Sequence, residues 1–191
     1  MSSIYSSILK LFNSQEEFLK ETVASRSMGL GMLGYVMGAF CVTFYANFYS
    51  GASVLSFVAQ FFVYLAAMIV LSLVFASITQ LFLDLIAREG NAPGLFALIG
   101  ISEFAKVLLI AGLLMTGAVK NGAALASVVA VVTFIFQLVF LTVMISRAYT
   151  MPKGLVLLSF VITMVPAVMA CVLMFITAAA GIVALIMGLA A

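Results

Sequence analysis

Glu103 and Lys106 carry the sharpest chemistry in this chain. They stand three residues apart inside an apolar tract, so on a helix they share a face and can neutralise one another. With a span starting at Leu95, helical rise puts Glu103 roughly 12 Å inside it. An unpaired charge at that depth costs at least ~2.5–3.5 kcal/mol in a bilayer. Two classes of role follow. One is an ion, proton or polar-substrate site; the other is a mutually neutralised pair that only holds structure. A flat course for residues 91–102 would be a third arrangement, lifting the pair to the interface. Asp84 and Arg88 are i,i+4 neighbours able to pair on one helix face. With Arg147 they complete the candidate polar cluster and could reinforce the central pair.

Catalytic and metal chemistry lack their parts. The absence of histidine removes zinc–histidine sites and every Ser-His or Cys-His nucleophile. Gly90 to Gly94 is followed by no Lys-Ser/Thr and is not a phosphate loop. No two acidic residues share a helix face within a span. We therefore expect no enzyme, no cofactor and no metal. Cys41 and Cys171 both fall in apolar tracts and read as buried structural thiols. A net charge of +2 is too small to argue for a nucleic-acid partner.

The elements that hold these residues follow from composition. The 191 residues are 66% hydrophobic and 7% charged, with mean hydropathy +1.38. A soluble domain carries about a quarter charged residues, so lipid must be the solvent for most of the exterior. The expected fold is all-α: a polytopic transmembrane bundle of about five spans with an N-terminal amphipathic helix. Residues 1–27 form an amphipathic cytoplasmic segment and 28–191 the transmembrane domain. Ile4, Ile8, Leu11, Phe12, Phe18, Leu19 and Val23 make an approximate stripe, and Ser14 with Glu17 fits a capping box. That segment either lies on the membrane surface or packs on the cytoplasmic end of the bundle. The predicted spans are 28–49, 54–83, 95–119, 123–146 and 155–180, with Pro166 a kink in the last. The second exceeds a ~30 Å core at ~1.5 Å per residue. Gly31, Gly34 and Gly38 in the first let a neighbouring helix approach closely, within the bundle or across a dimer. Gln60 and Gln137 are the costliest uncharged groups to face lipid, so interhelical hydrogen bonds are their default.

Orientation follows from the cations. With the N-terminus inside, Lys10, Lys20, Arg26, Arg88, Arg147 and Lys153 lie on the cytoplasmic side and Lys120 alone outside, the bias expected of an N-in, C-out protein of the cell membrane. The two inner hairpins also resemble each other. Arg88 precedes Pro93, and Arg147 precedes Pro152, by the same five residues. Each arginine ends one span and each proline opens the next, as in a parallel repeat.

On these residues the chain resembles the Yip family, membrane proteins that interact with Ypt/Rab GTPases. The likeness covers about Val54 to Ile176. It rests on Leu85-Ile86-Ala87-Arg88 at the end of the second span, the Gly90–Gly94 turn, Phe96 and the apolar third span, and the basic hairpin Arg147 to Lys153. The short N-terminal segment fits a bacterial-type member. The resemblance implies five spans, a cytoplasmic N-terminus and an exterior C-terminus. It also implies a non-enzymatic scaffold or organiser of membrane traffic, lipids or partner proteins at its cytoplasmic face. The residues leave open a small transporter or channel, working as a homo-oligomer, with Glu103 and Lys106 in its path.

Overall fold

A computed structural model describes residues 19–23, 28–48, 53–86, 91–116, 122–165 and 169. The elements are helical throughout these residues, with no strand among them. Helix α1 is Gly29–Asn47, α2 is Val54–Leu85, and the third span comprises α3 (Ala92–Ser102), a one-turn 3-10 segment (Glu103–Lys106) and α4 (Val107–Thr116). Helix α5 is Gly122–Ala148, and α6 is Lys153–Val165. Among the described residues, four helices are long and apolar enough to cross a membrane: α1, α2, the third span and α5. The described part of α6 is shorter. The predicted continuation to residue 180 lies outside the described residues, as do Pro166, Cys171 and the tail. So do residues 4–18, Arg88 and Lys120. The described residues thus form an all-helical bundle whose long apolar helices are compatible with a membrane.

The helix ends correct several expected bounds. The third span begins at Ala92 rather than Leu95, because the Asn91 side chain caps it by accepting from Gly94 N at 3.2 Å and Pro93 sits in its first turn. Helix α2 runs on to Leu85, started by Ser53 Oγ accepting from Ser56 N at 3.3 Å. Helix α5 continues past Ser146 to Ala148. Pro152 opens α6 by a different device. Its carbonyl accepts from Leu155 and Val156, and the chain reaches it through Thr150 at φ 51°. The two prolines share a task, but the caps around them differ.

The third span is the axis of the bundle. Gly94 to Ser102 are all buried, as expected of a helix that is apolar all round. Over its most apolar stretch 56% of residues are buried, against 11% for α2, which lies at the periphery. Residues 94–102 are thus enclosed by neighbouring helices and continue through the 3-10 turn into α4. Helix α1 packs parallel to this axis through its glycines. A Cβ on Gly31 would meet the Ala97 backbone at 2.8 Å, one on Gly34 would run into the Gly100 carbonyl, and one on Gly38 would come 2.6 Å from Glu103 Oε2. The glycine spacing therefore serves close packing within the chain. Tyr35 locks the same seam, donating to the Phe96 carbonyl at 2.9 Å with the two rings 4.8 Å apart.

Intramembrane polar groups pair across helices. Asn47 donates to Gln60 at 2.7 Å, linking α1 to α2. The Thr79 and Thr163 hydroxyls meet at 3.3 Å, linking α2 to α6. Beside them, Phe75 and Phe160 tilt against each other at 5.5 Å. Cys41 is a buried free thiol.

Candidate functional site

Glu103 is buried at 5% exposure in the middle of the third span. Eleven residues of helix precede it from Ala92, a rise of about 16 Å from the helix start. Its Oε1 accepts from Gln137 Nε2 of α5 at 2.9 Å, and the same amide reaches Ser102 Oγ at 3.4 Å. Its Oε2 meets Lys106 Nζ at 2.5 Å. That contact is an ion pair between neighbours one turn apart. Against Oε2 lies Gly38 of α1, whose missing Cβ makes the room.

The local backbone explains the pairing. Residues 103–106 form one turn of 3-10 helix, in which side chains at i and i+3 eclipse instead of splaying apart. Lys106 is thereby stacked directly over Glu103. Ser102 Oγ bonds back to the Ile99 carbonyl at 2.6 Å just ahead of this turn, a side-chain bond that competes with the regular ladder. The Lys106 stem runs toward α2, where its ammonium reaches Met68 Sδ at 3.9 Å. The cluster thus ties α1, α2, the third span and α5 around one neutral pair.

Asp84 and Arg147 do not reinforce this pair. Arg147 lies ten residues beyond Gln137 on α5, about 15 Å along the helix. Asp84 lies sixteen residues beyond Met68 on α2, about 24 Å away. The Asp84–Arg88 pairing and the relative depth of Arg88 and Arg147 fall outside the described residues.

A second polar cluster, unforeseen from the sequence, occupies the end of the bundle nearer Arg147. Asn91 is its centre. Its Nδ2 donates to the Val23 carbonyl at 2.6 Å, its Oδ1 caps α3, and its own carbonyl accepts from Tyr149 Oη at 3.4 Å. Gln80 of α2 accepts from Ala92 N at 2.9 Å. Burial pushes the Tyr149 phenol up to about 12; a backbone hydrogen bond at Asn91 acts the other way, and the Asp84 carboxylate adds a smaller upward push. Residues 19–23 are helical, with Leu19 and Thr22 buried and Lys20 and Glu21 exposed. Val23 packs on Gly94. This part of the N-terminal segment therefore packs on the bundle end. The readable signal was Asn-Ala-Pro, an N-cap followed by first-turn proline.

A lipid-facing cleft of about 580 Å³ opens between α1 and α5 with the third span as its floor; Arg147 stands in its wall, and the other lining residues are apolar. No family model, curated protein or solved structure matches this chain.

Proposed function

We propose that this is a non-enzymatic integral membrane protein of Yip type, a scaffold or organiser of lipids or partner proteins, oriented with its N-terminus in the cytoplasm. The observation that carries the reading is the closure of Glu103: Gln137, Lys106 and the Gly38 backbone occupy its surroundings. A carboxylate used this way fastens helices. The working surface is then the bundle end built on Asn91, Tyr149 and residues 19–23, where the cation bias puts the cytoplasm.

The rival is a small transporter or channel that uses the same pair, favoured by the Lys106 side chain keeping 18% exposure. Flux into liposomes containing the purified protein, tested with protons, monovalent ions and small solutes, separates the two. The scaffold reading expects leak equal to protein-free liposomes for wild type and for Glu103→Gln/Lys106→Met alike. Protein-dependent flux abolished by that double replacement overturns it. Cysteines at Thr150 and Asn121, probed with an impermeant thiol reagent in intact cells, test the orientation: Asn121 alone should label.

A further inference from the structure

The cleft between α1 and α5 is a fitted place for one lipid. Helices α1 and α5 do not pack on each other, while both pack on the third span. Leu33 from α1, Phe104 and Leu108 from the third span, and Phe136 and Phe140 from α5 line the resulting groove. Phe136 and Phe140 stack nearly parallel along it, 5° apart in plane. Its volume of about 580 Å³ lies inside the ~300–1,000 Å³ range of small-ligand sites.

Length and charge select the occupant. From Phe136 to Arg147 the wall extends eleven residues, about 16 Å of rise. Half of a ~30 Å hydrocarbon core is about 15 Å, the depth of one leaflet and so of one lipid tail. The cationic group in the lining, Arg147, stands at the end where α5 leaves its span. A guanidinium there offers paired donors to a phosphate. Lys20 is exposed beside Leu19, which lines the same end. Apolar walls one leaflet long, with a cation at the mouth, complement an anionic glycerophospholipid.

We propose that this groove binds one anionic glycerophospholipid, its tail along Phe104, Leu108, Phe136 and Phe140 and its phosphate on Arg147. This rests on, and gives a ligand to, the lipid-organising reading above. The site acts as a recess that keeps a lipid through exchange with the surrounding bilayer.

The test is lipid retention. The full chain is purified in detergent, exchanged into nanodiscs of phosphatidylglycerol or phosphatidylcholine, re-extracted, and examined by native mass spectrometry. Wild type should keep a phospholipid adduct, with phosphatidylglycerol preferred. Arg147→Gln should weaken that preference about fivefold, the worth of one interfacial cation. Leu108→Trp, at a residue 44% exposed, should fill the groove and remove the adduct while the melting temperature holds. An adduct unchanged in Leu108→Trp overturns the site. An undiminished preference in Arg147→Gln overturns the headgroup assignment. A dimer lost in Leu108→Trp, with no lipid adduct in wild type, makes a second copy the occupant and overturns the proposal. The scaffold reading fails separately, on flux: loss of the adduct without flux removes the groove alone, and an adduct with Glu103-dependent flux removes the scaffold alone.

Discussion

Replacing Glu103 and Lys106 singly and together tests whether the pair is a fastener. Breaking a buried pair by removing one partner typically costs ~3–5 kcal/mol. The two singles should differ, because the stranded partners differ in exposure. Glu103→Gln strands Lys106, whose side chain keeps 18% exposure and can draw on water or headgroups, so we expect a loss of about 2 kcal/mol, below the usual range. Lys106→Met strands a carboxylate whose side chain is 7% exposed; Gln137 still donates to it, which sets the loss at about 3 kcal/mol. The double replacement leaves a neutral amide against Gln137 and a thioether beside Met68, with no charge inside. It should lose about 2 kcal/mol, some 3 kcal/mol less than additivity demands. Denaturant titration in detergent micelles, followed by helical circular dichroism, reads all three. Additive losses would refute the reasoning, because the two side chains would then answer to separate surroundings. Equal losses in the two singles would refute the asymmetry assigned to exposure.

Three further outcomes follow from the packing and the bundle end. Gly34→Ala should destabilise by about 1–3 kcal/mol, because its methyl meets the Gly100 backbone; Gly29→Ala, with nothing within 4 Å of its Cβ, should be neutral or stabilising by up to ~1 kcal/mol, and micelle unfolding compares them. Asn91→Ala should cost about 1–2 kcal/mol through the lost cap and should speed amide exchange in residues 19–23, since the bond to the Val23 carbonyl goes with it. The raised Tyr149 phenol makes its contribution to stability complete below about pH 10 and lost as pH climbs toward about 12; the alkaline drop should be shallower in Tyr149→Phe than in wild type, and equal slopes would remove Tyr149 as its cause.

Much of the architecture was legible because lipid solvent leaves few choices. Long apolar tracts punctuated by the Gly90–Gly94 turn and Pro152 marked the helices, and the starts of α1, α2, the third span, α5 and α6 differ from the expected ones by three residues or fewer. Gly31, Gly34 and Gly38 announced a close approach, but their period could not say against what. Ala97, Gly100 and Glu103 answer in step, which needed the third dimension. The Glu103–Lys106 pairing was legible from spacing alone. The 3-10 turn beneath it was not, because nothing in the spacing of apolar and charged residues distinguishes one tightened turn from a regular helix.

The same geometry explains why a charge pair and an apolar groove can share one span. The 3-10 turn stacks Lys106 over Glu103 and aims the pair toward α1, Gln137 and Met68. Between them, Phe104 and Ala105 line the cleft, and Val107 and Leu108 continue that lining into α4. A regular α-helix would set residues 103 and 106 about 60° apart around the axis, widening the polar face at the expense of the apolar one. Tightening one turn narrows the charged stripe to a single line and leaves the neighbouring residues free to be wholly apolar. Glu103 is therefore tolerated at depth without wetting the groove beside it. A substitution that restores a regular α-helix over residues 103–106 should loosen the ion pair and narrow the lipid-facing cleft together.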